Sequence, residues 1–202
     1  MIALLVLAVA AVWIQGRLAS KAEGKPYAAP FQLMNQNGET VTEEDVLGKP
    51  SAWFYGFTHC PDICPTALAE MAQVLQELGP EADKLNVFFV SVDPARDTPS
   101  ILKDYVAYFD ERIISLTGKE RQLRQMTKDR YIYYKKVGEG DNYEMDHTAG
   151  IQLVRADGRF FGTMDSHEPP EIRMQKIKRL IGELYQASLI RTHRPIFCGR
   201  WT

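Results

Sequence analysis

Apolar and polar positions along the chain fall into blocks that read as strands and helices in turn. Phe31-Gln32-Leu33-Met34 and Glu39-Thr40-Val41 flank Asn35-Gln36-Asn37-Gly38, an alternating pattern around a glycine-containing turn that predicts a β-hairpin. Leu47-Gly48-Lys49-Pro50 predicts a turn into a central strand at 51–57, whose apolar run Ala52-Trp53-Phe54-Tyr55 reads as buried. From Thr66 to Leu78 apolar residues recur at helical spacing, and Leu85–Val92 is a second buried strand. Thr98 can cap a helix that has Pro99 at its first position and runs to about Phe109. Arg112–Leu116 predicts a third short strand, and Glu120–Tyr131 a helix made amphipathic by Leu123, Met126 and Tyr131. Val137–Tyr143 reads as a glycine-rich, charged loop. Ile151–Val154 and Arg159–Gly162 flank Ala156-Asp157-Gly158 and predict a second hairpin. Pro169–Leu189 predicts a closing helix with Ile172, Ile177, Leu180, Ile181 and Leu184 facing the core.

Strands alternating with helices, followed by a terminal hairpin and helix, predict an α/β sandwich around one central sheet. Cysteines at the end of its first strand–helix unit suggest a thioredoxin-like fold, here with an N-terminal hairpin, over residues 30–187. The ends have a different character. Residues 1–14 carry no polar side chain, which is short of the ~20 residues that span a bilayer and also fits a signal-peptide core. Residues 1–15 are therefore read as a membrane anchor or signal segment and 16–29 as a polar linker, with Ser20-Lys21-Ala22 as a small-residue cleavage site. A buried N-terminal helix fits less well, because the stretch is apolar on every face. Arg17, Lys21 and Lys25 follow it, and the positive-inside rule would then place the rest of the chain in the cytoplasm, against export. Residues 188–202, with Arg191, Arg194, Cys198 and Arg200, are expected to be a disordered basic tail.

Composition narrows the chemistry. A chain of 202 residues suits one domain with tails, and a net charge of −2 offers no whole-chain argument for nucleic-acid binding. Three cysteines are too few for a disulfide scaffold, so the close pair is better read as a metal or redox site. That pair lies in Phe57-Thr58-His59-Cys60-Pro61-Asp62-Ile63-Cys64-Pro65-Thr66, between the buried strand and the helix. A helix N-terminus favours thiolate over thiol. At positions i and i+4 both sulfurs would share one helical face, close enough to hold a soft metal ion or to form a disulfide.

A thioredoxin-type redox pair has two residues between its cysteines; Pro61-Asp62-Ile63 makes three, a spacing that also suits two sulfur ligands on one ion. Of four histidines, His193 lies in the tail and His167 in a Ser-His-Glu-Pro-Pro loop, and both read as surface groups. His59 adjoins Cys60 but points apart from it, as a surface or supporting group. His147, in Asp146-His147-Thr148-Ala149-Gly150, precedes the 151–154 strand, and in a thioredoxin-like fold that loop faces the cysteines. Two thiolates and an imidazole form a soft three-ligand set; structural zinc normally takes four, so copper as Cu(I) or Cu(II) fits better. Asp146 is placed to orient or tune His147, or else is a solvated loop carboxylate.

The cysteine segment, then Ser91-Val92-Asp93-Pro94-Ala95-Arg96-Asp97-Thr98-Pro99, then Asp146-His147, resembles the Sco/SenC family over residues 30–187. The resemblance implies a thioredoxin-like domain tethered by an N-terminal helix to the bacterial or mitochondrial inner membrane. That domain would face the periplasm or intermembrane space. It implies a copper metallochaperone, not an enzyme, holding one copper per chain on Cys60, Cys64 and His147. The copper would pass to the dinuclear centre of cytochrome c oxidase subunit II, with another copper chaperone as a possible donor. Alternatively, the family resemblance implies a thiol–disulfide reductase that uses Cys60 and Cys64 to keep that centre's cysteines reduced. Arg155-Ala156 is more polar than the family pattern, and the tail beyond residue 188 matches no motif. A general thioredoxin would carry proline where Thr148 stands, and a peroxidase would have no use for Cys64.

Overall fold

Three apolar strands leave the chain little choice but to bury a parallel sheet and cover both its faces. The computed structural model describes residues 24–165 and 167–192, with side chains as far as Gly182. In chain order, β1 (Gln32–Asn35) and β2 (Thr40–Thr42) form the predicted hairpin, followed by a one-turn helix, α1 (Glu43–Val46). The unit β3 (Ser51–Gly56), α2 (Ile63–Leu78), β4 (Asn86–Ser91), α3 (Pro99–Ala107) and β5 (Ile113–Thr117) builds the parallel centre. After α4 (Glu120–Asp129) come β6 (Tyr134–Val137) and β7 (Glu144–His147), which pair only with each other. The antiparallel pair β8 (Ile151–Val154) and β9 (Phe160–Met164) and the long helix α5 (Pro170–Thr192) complete the fold. The main sheet runs β2-β1-β5-β4-β3-β8-β9. This is the expected thioredoxin-like α/β architecture.

Every residue of β3 is buried, and its in-register pairing with β4 sets Trp53 against Phe88 (ring centroids 4.2 Å apart) and Phe54 against Phe89. Aromatic pairs of this kind add to the area they bury. Helix α2 covers the sheet with Ala67, Leu68, Met71, Val74, Leu75 and Leu78, an i, i+3, i+4 stripe. Thr98 caps α3 as predicted, accepting from the Ile101 amide, with Pro99 in the first turn.

The folded region begins earlier than the linker reading allowed. Pro26–Ala28 forms a 3₁₀ turn that buries Tyr27, whose amide donates to the Gly158 carbonyl and whose hydroxyl donates to Gln152. Gly158 is essential to this docking: its φ is +83°, and a Cβ there would lie 2.8 Å from the Ala28 nitrogen. The buried Arg130 guanidinium lies 4.5 Å from the ring centres of both Tyr27 and Trp53, pinning the same segment.

Other expectations need correction. Helix α2 begins at Ile63 rather than Thr66; Pro65 sits in its first turn, where a missing N–H has no partner to lose. Helix α4 ends at Asp129, because Tyr131 turns left-handed (φ 58°) and is 87% exposed, leaving Ile132 to pack inward. In α5, Ile172 is exposed, and Met174 joins Ile177, Leu180 and Ile181 in the core. That helix continues to Thr192, past its predicted end at Leu189 and into the stretch expected as tail. The predicted glycine-rich loop is the tip of the β6–β7 ribbon. The proposed anchor at 1–15, the Leu184 side chain, His193 and Cys198 lie outside the described residues. Among the described residues no helix is long and apolar enough to cross a membrane.

Candidate metal centre

Sequence-distant parts of the fold meet at the C-terminal end of β3. Cys60 lies in the loop leaving that strand and Cys64 in the first turn of α2, so they do not share a helical face as the spacing alone suggested. The half-buried Cys60 Sγ instead sits over the open end of the helix, accepting from the Cys64 amide at 3.4 Å. Asp62, at the N-cap position, makes no side-chain capping bond, and the sulfur stands in for one.

His147 arrives from β7 rather than from a loop. Its Nε2 is 3.5 Å from Cys64 Sγ, and the ligand atoms of Cys60, Cys64 and His147 all lie within 4.8 Å of one another. The three candidates chosen from the sequence are therefore brought together. Phe54 and Phe57 meet the imidazole edge-on, at 6.0 and 5.9 Å between centroids, and fix its plane. On the other ring nitrogen, Nδ1 lies 3.0 Å from the Thr148 carbonyl. A carbonyl can only accept, so Nδ1 carries the proton and Nε2 turns its lone pair toward the sulfurs. Thr148 is thus the group that orients the ring. Asp146 is exposed and acts on His147 only through its charge.

Burial sets the protonation states. It lowers the His147 pKa, so the imidazole is neutral at neutral pH, with smaller opposing effects from the Thr148 carbonyl and Asp146. It pushes the Cys64 thiol well up, only partly offset by a hydrogen bond from the Phe57 amide. The helix terminus therefore does not by itself make Cys64 a thiolate; a cation must replace the proton. Tyr105, whose hydroxyl is buried with no partner among the described residues, is likewise raised by burial and then by Cys64 and Cys60, so it remains an O–H donor.

The other described histidines, His59 and His167, take no part. His59 is exposed, with Nδ1 3.1 Å from the Thr58 hydroxyl, and His167 is exposed and bonded to Asp165. Sequence reading missed the support behind the site. Asp97, fully buried, accepts from the Thr58 hydroxyl at 2.6 Å and the Thr58 amide at 3.1 Å, tying down the cysteine loop. The Asp93-to-Pro99 motif was visible, but no local pattern reveals which loop it grips.

A thioredoxin-like sheet that presents two free thiols and a neutral imidazole to one point defines a soft-metal or dithiol-redox protein built on that fold. The chain belongs to the SCO1/SenC family, whose model matches residues 19–182. It is 34% identical over 151 residues to a SCO2-like protein of Rickettsia felis, covering 73% of this chain and 74% of that one. It is 37% identical over 142 residues to the mitochondrial SCO1 homolog of Homo sapiens, covering 68% of this chain and 47% of that protein. Among solved structures, Bradyrhizobium japonicum ScoI with copper bound is 44% identical, with a TM-score of 0.70 over 75% of this chain and 97% of that one. Yeast Sco1 with copper bound is 28% identical, with a TM-score of 0.71 over 85% of this chain and 97% of the other.

Proposed function

We propose that this protein is a copper metallochaperone. It holds one Cu(I) or Cu(II) ion on Cys60, Cys64 and His147 and passes it to the dinuclear copper centre of cytochrome c oxidase subunit II. The observation that carries this reading is the convergence of those three ligand atoms within 4.8 Å, in a family with copper-bound solved members. Family membership supports a role in cytochrome c oxidase assembly; subunit II as acceptor and another copper chaperone as donor are part of this proposal. The proposal includes a tether through residues 1–15 that holds the domain at the inner membrane, facing the periplasm or intermembrane space. A solved SCO1/SenC protein of Bacillus anthracis, 26% identical, is a lipoprotein, which is consistent with a membrane-held domain.

Copper is the cargo, and the chemistry is ligand exchange. The thiols must be reduced to bind, since only the thiolate ligates, and Cys64 gives up its proton as the ion arrives. A partner offering cysteine and histidine ligands of its own then displaces them one at a time, beginning at the half-buried Cys60. Because burial holds Cys64 protonated at neutral pH while His147 is already neutral, loading releases protons from sulfur and none from the imidazole. Apparent affinity should therefore rise with pH through neutrality, by about tenfold per unit for each proton released. Competition titrations between pH 6 and 8 measure that slope, and a flat profile would contradict it.

The test of the reading is metal content and visible absorption of the reduced protein after Cu(II) is added. One copper per chain with a thiolate-to-copper charge-transfer band supports the chaperone. In His147→Ala, Cu(II) affinity should fall by more than the roughly 10–100-fold that loss of an outer-shell partner costs. Cu(I) should be held nearly as well, since two thiolates suffice for it. The second reading, a reductase for the same centre's cysteines, is favoured by the two free thiols lying together with one half-buried. Rapid formation of a Cys60–Cys64 disulfide with no retained copper would select it.

A further inference from the structure

The β6–β7 ribbon that carries His147 shares no strand pairing with the main sheet, so something else must hold it at the cysteines. One polar cluster reaches both halves of the site. From the loop after β4, Asp93 accepts from the Tyr143 hydroxyl at 2.6 Å and from Arg96 Nε. Arg96 Nη1 donates to the Tyr143 carbonyl at 3.0 Å, and its guanidinium lies 3.7 Å from the centre of the Tyr143 ring. Tyr143 is buried and immediately precedes β7, four residues before His147. From the same loop, Asp97 grips Thr58, two residues before Cys60, and also accepts from the Ser91 hydroxyl at 2.6 Å. Asp93 and Asp97 are joined through their own turn, where the Asp97 amide donates to the Asp93 carbonyl at 2.9 Å. Arg96 also lies over Phe57, the ring that abuts His147.

We propose that the Asp93–Asp97 turn is a two-armed strut that sets the distance between the imidazole and the thiols. Asp93 with Arg96 positions the His147 ribbon through Tyr143, and Asp97 positions the cysteine loop through Thr58. These are positioning residues; none touches the ion. The inference rests on the metal-site reading for its copper consequences, but the strut itself is a property of the metal-free fold. The two arms grip different ligands, so they fail differently. Loosening the Tyr143 arm degrades the site that needs the imidazole and spares the two-thiolate site.

Tyr143→Phe is the sharper variant, because it keeps the ring under Arg96 and removes only the hydroxyl. Asp97→Asn is its counterpart on the other arm, and Asp93→Asn reproduces the Tyr143 arm if the phenylalanine protein folds poorly. In the reduced, metal-free protein, Tyr143→Phe should speed amide exchange across Tyr134–Val137 and Glu144–His147 by roughly tenfold, leaving β3 and α2 unchanged. With copper added, it should weaken Cu(II) binding by on the order of tenfold and shift the charge-transfer band, with Cu(I) affinity changed by less than about twofold. Asp97→Asn should weaken both oxidation states. Unchanged ribbon exchange in both Tyr143→Phe and Asp93→Asn would overturn the strut, as would equal losses of Cu(I) and Cu(II) in Tyr143→Phe. A wild-type protein that takes up no copper would defeat the metal reading alone, and the metal-free exchange result would still decide the strut.

Discussion

A Cys60→Ala, Cys64→Ala protein is expected to retain no stoichiometric copper after a chelating wash, while melting as a folded domain. The physical reason is the narrowness of the ligand set. Among the described residues these thiols and His147 are the one cluster of potential metal ligands, and without the sulfurs a single imidazole remains. Thiolate softness is what selects Cu(I), and no other donor in the cluster supplies it. Folding should survive, since Cys60 is only half-buried and the fully buried Cys64 loses a single sulfur to an alanine that keeps the helix. Elemental analysis alongside a thermal melt separates the two effects. One equivalent of tightly held copper in the double variant would sink the assignment of the site.

The second large effect is expected at Gly56, the last residue of β3. A Cβ placed there would lie 2.6 Å from Cys64 Sγ and 3.0 Å from the rings of both Phe54 and Phe89. Carbon and sulfur do not approach so closely, and the aromatic walls that would have to yield are fully buried. Gly56→Ala should therefore push the Cys64 sulfur off its position rather than strain the backbone. Overpacking of this kind costs about 1–3 kcal/mol, which for a domain of this size lowers the melting temperature by roughly 2–12 °C. The copper charge-transfer band should shift or vanish, because Cys64 Sγ lies 3.5 Å from the His147 nitrogen and any displacement changes the bite of the pair. An alanine protein with wild-type melting and an unchanged band would show that the sulfur has room to move.

Fold class was legible because the strands at 51–56 and 86–91 carry the unbroken apolar runs Ala52–Tyr55 and Val87–Val90 and the first helix keeps its stripe, and such signals survive tertiary context. The ribbon that carries His147 was not. Tyr134–Val137 is largely exposed, and Glu144–His147 alternates over only four residues with Met145 as its single fully buried side chain, too short a signal to mark a strand. The start of α2 was misplaced by three residues for a related reason: Ile63 is exposed, so the first turn adds little to the apolar stripe. Ile172 and Tyr131 were placed inward on spacing, yet each side chain is exposed where its helix begins or has just ended.

By itself, then, the sequence determined the donor chemistry: two thiols four residues apart, one later imidazole, and a family motif between them. Side-chain identity alone decides softness, charge and protonation chemistry, and these need no coordinates. Tertiary structure decided how that chemistry is presented. It placed Cys60 over the helix end rather than on its face, and aimed His147 Nε2 inward through the Thr148 carbonyl. It also raised Cys64 by burial and joined the turn at 93–97 to both arms of the site. The meeting of thiol and imidazole and the joining of the turn to both arms rest on contacts between residues 39 to 83 positions apart, as in Thr58 with Asp97 and Cys64 with His147. No local pattern encodes such a pairing, because it exists only once the sheet has closed and water has left the space between its parts.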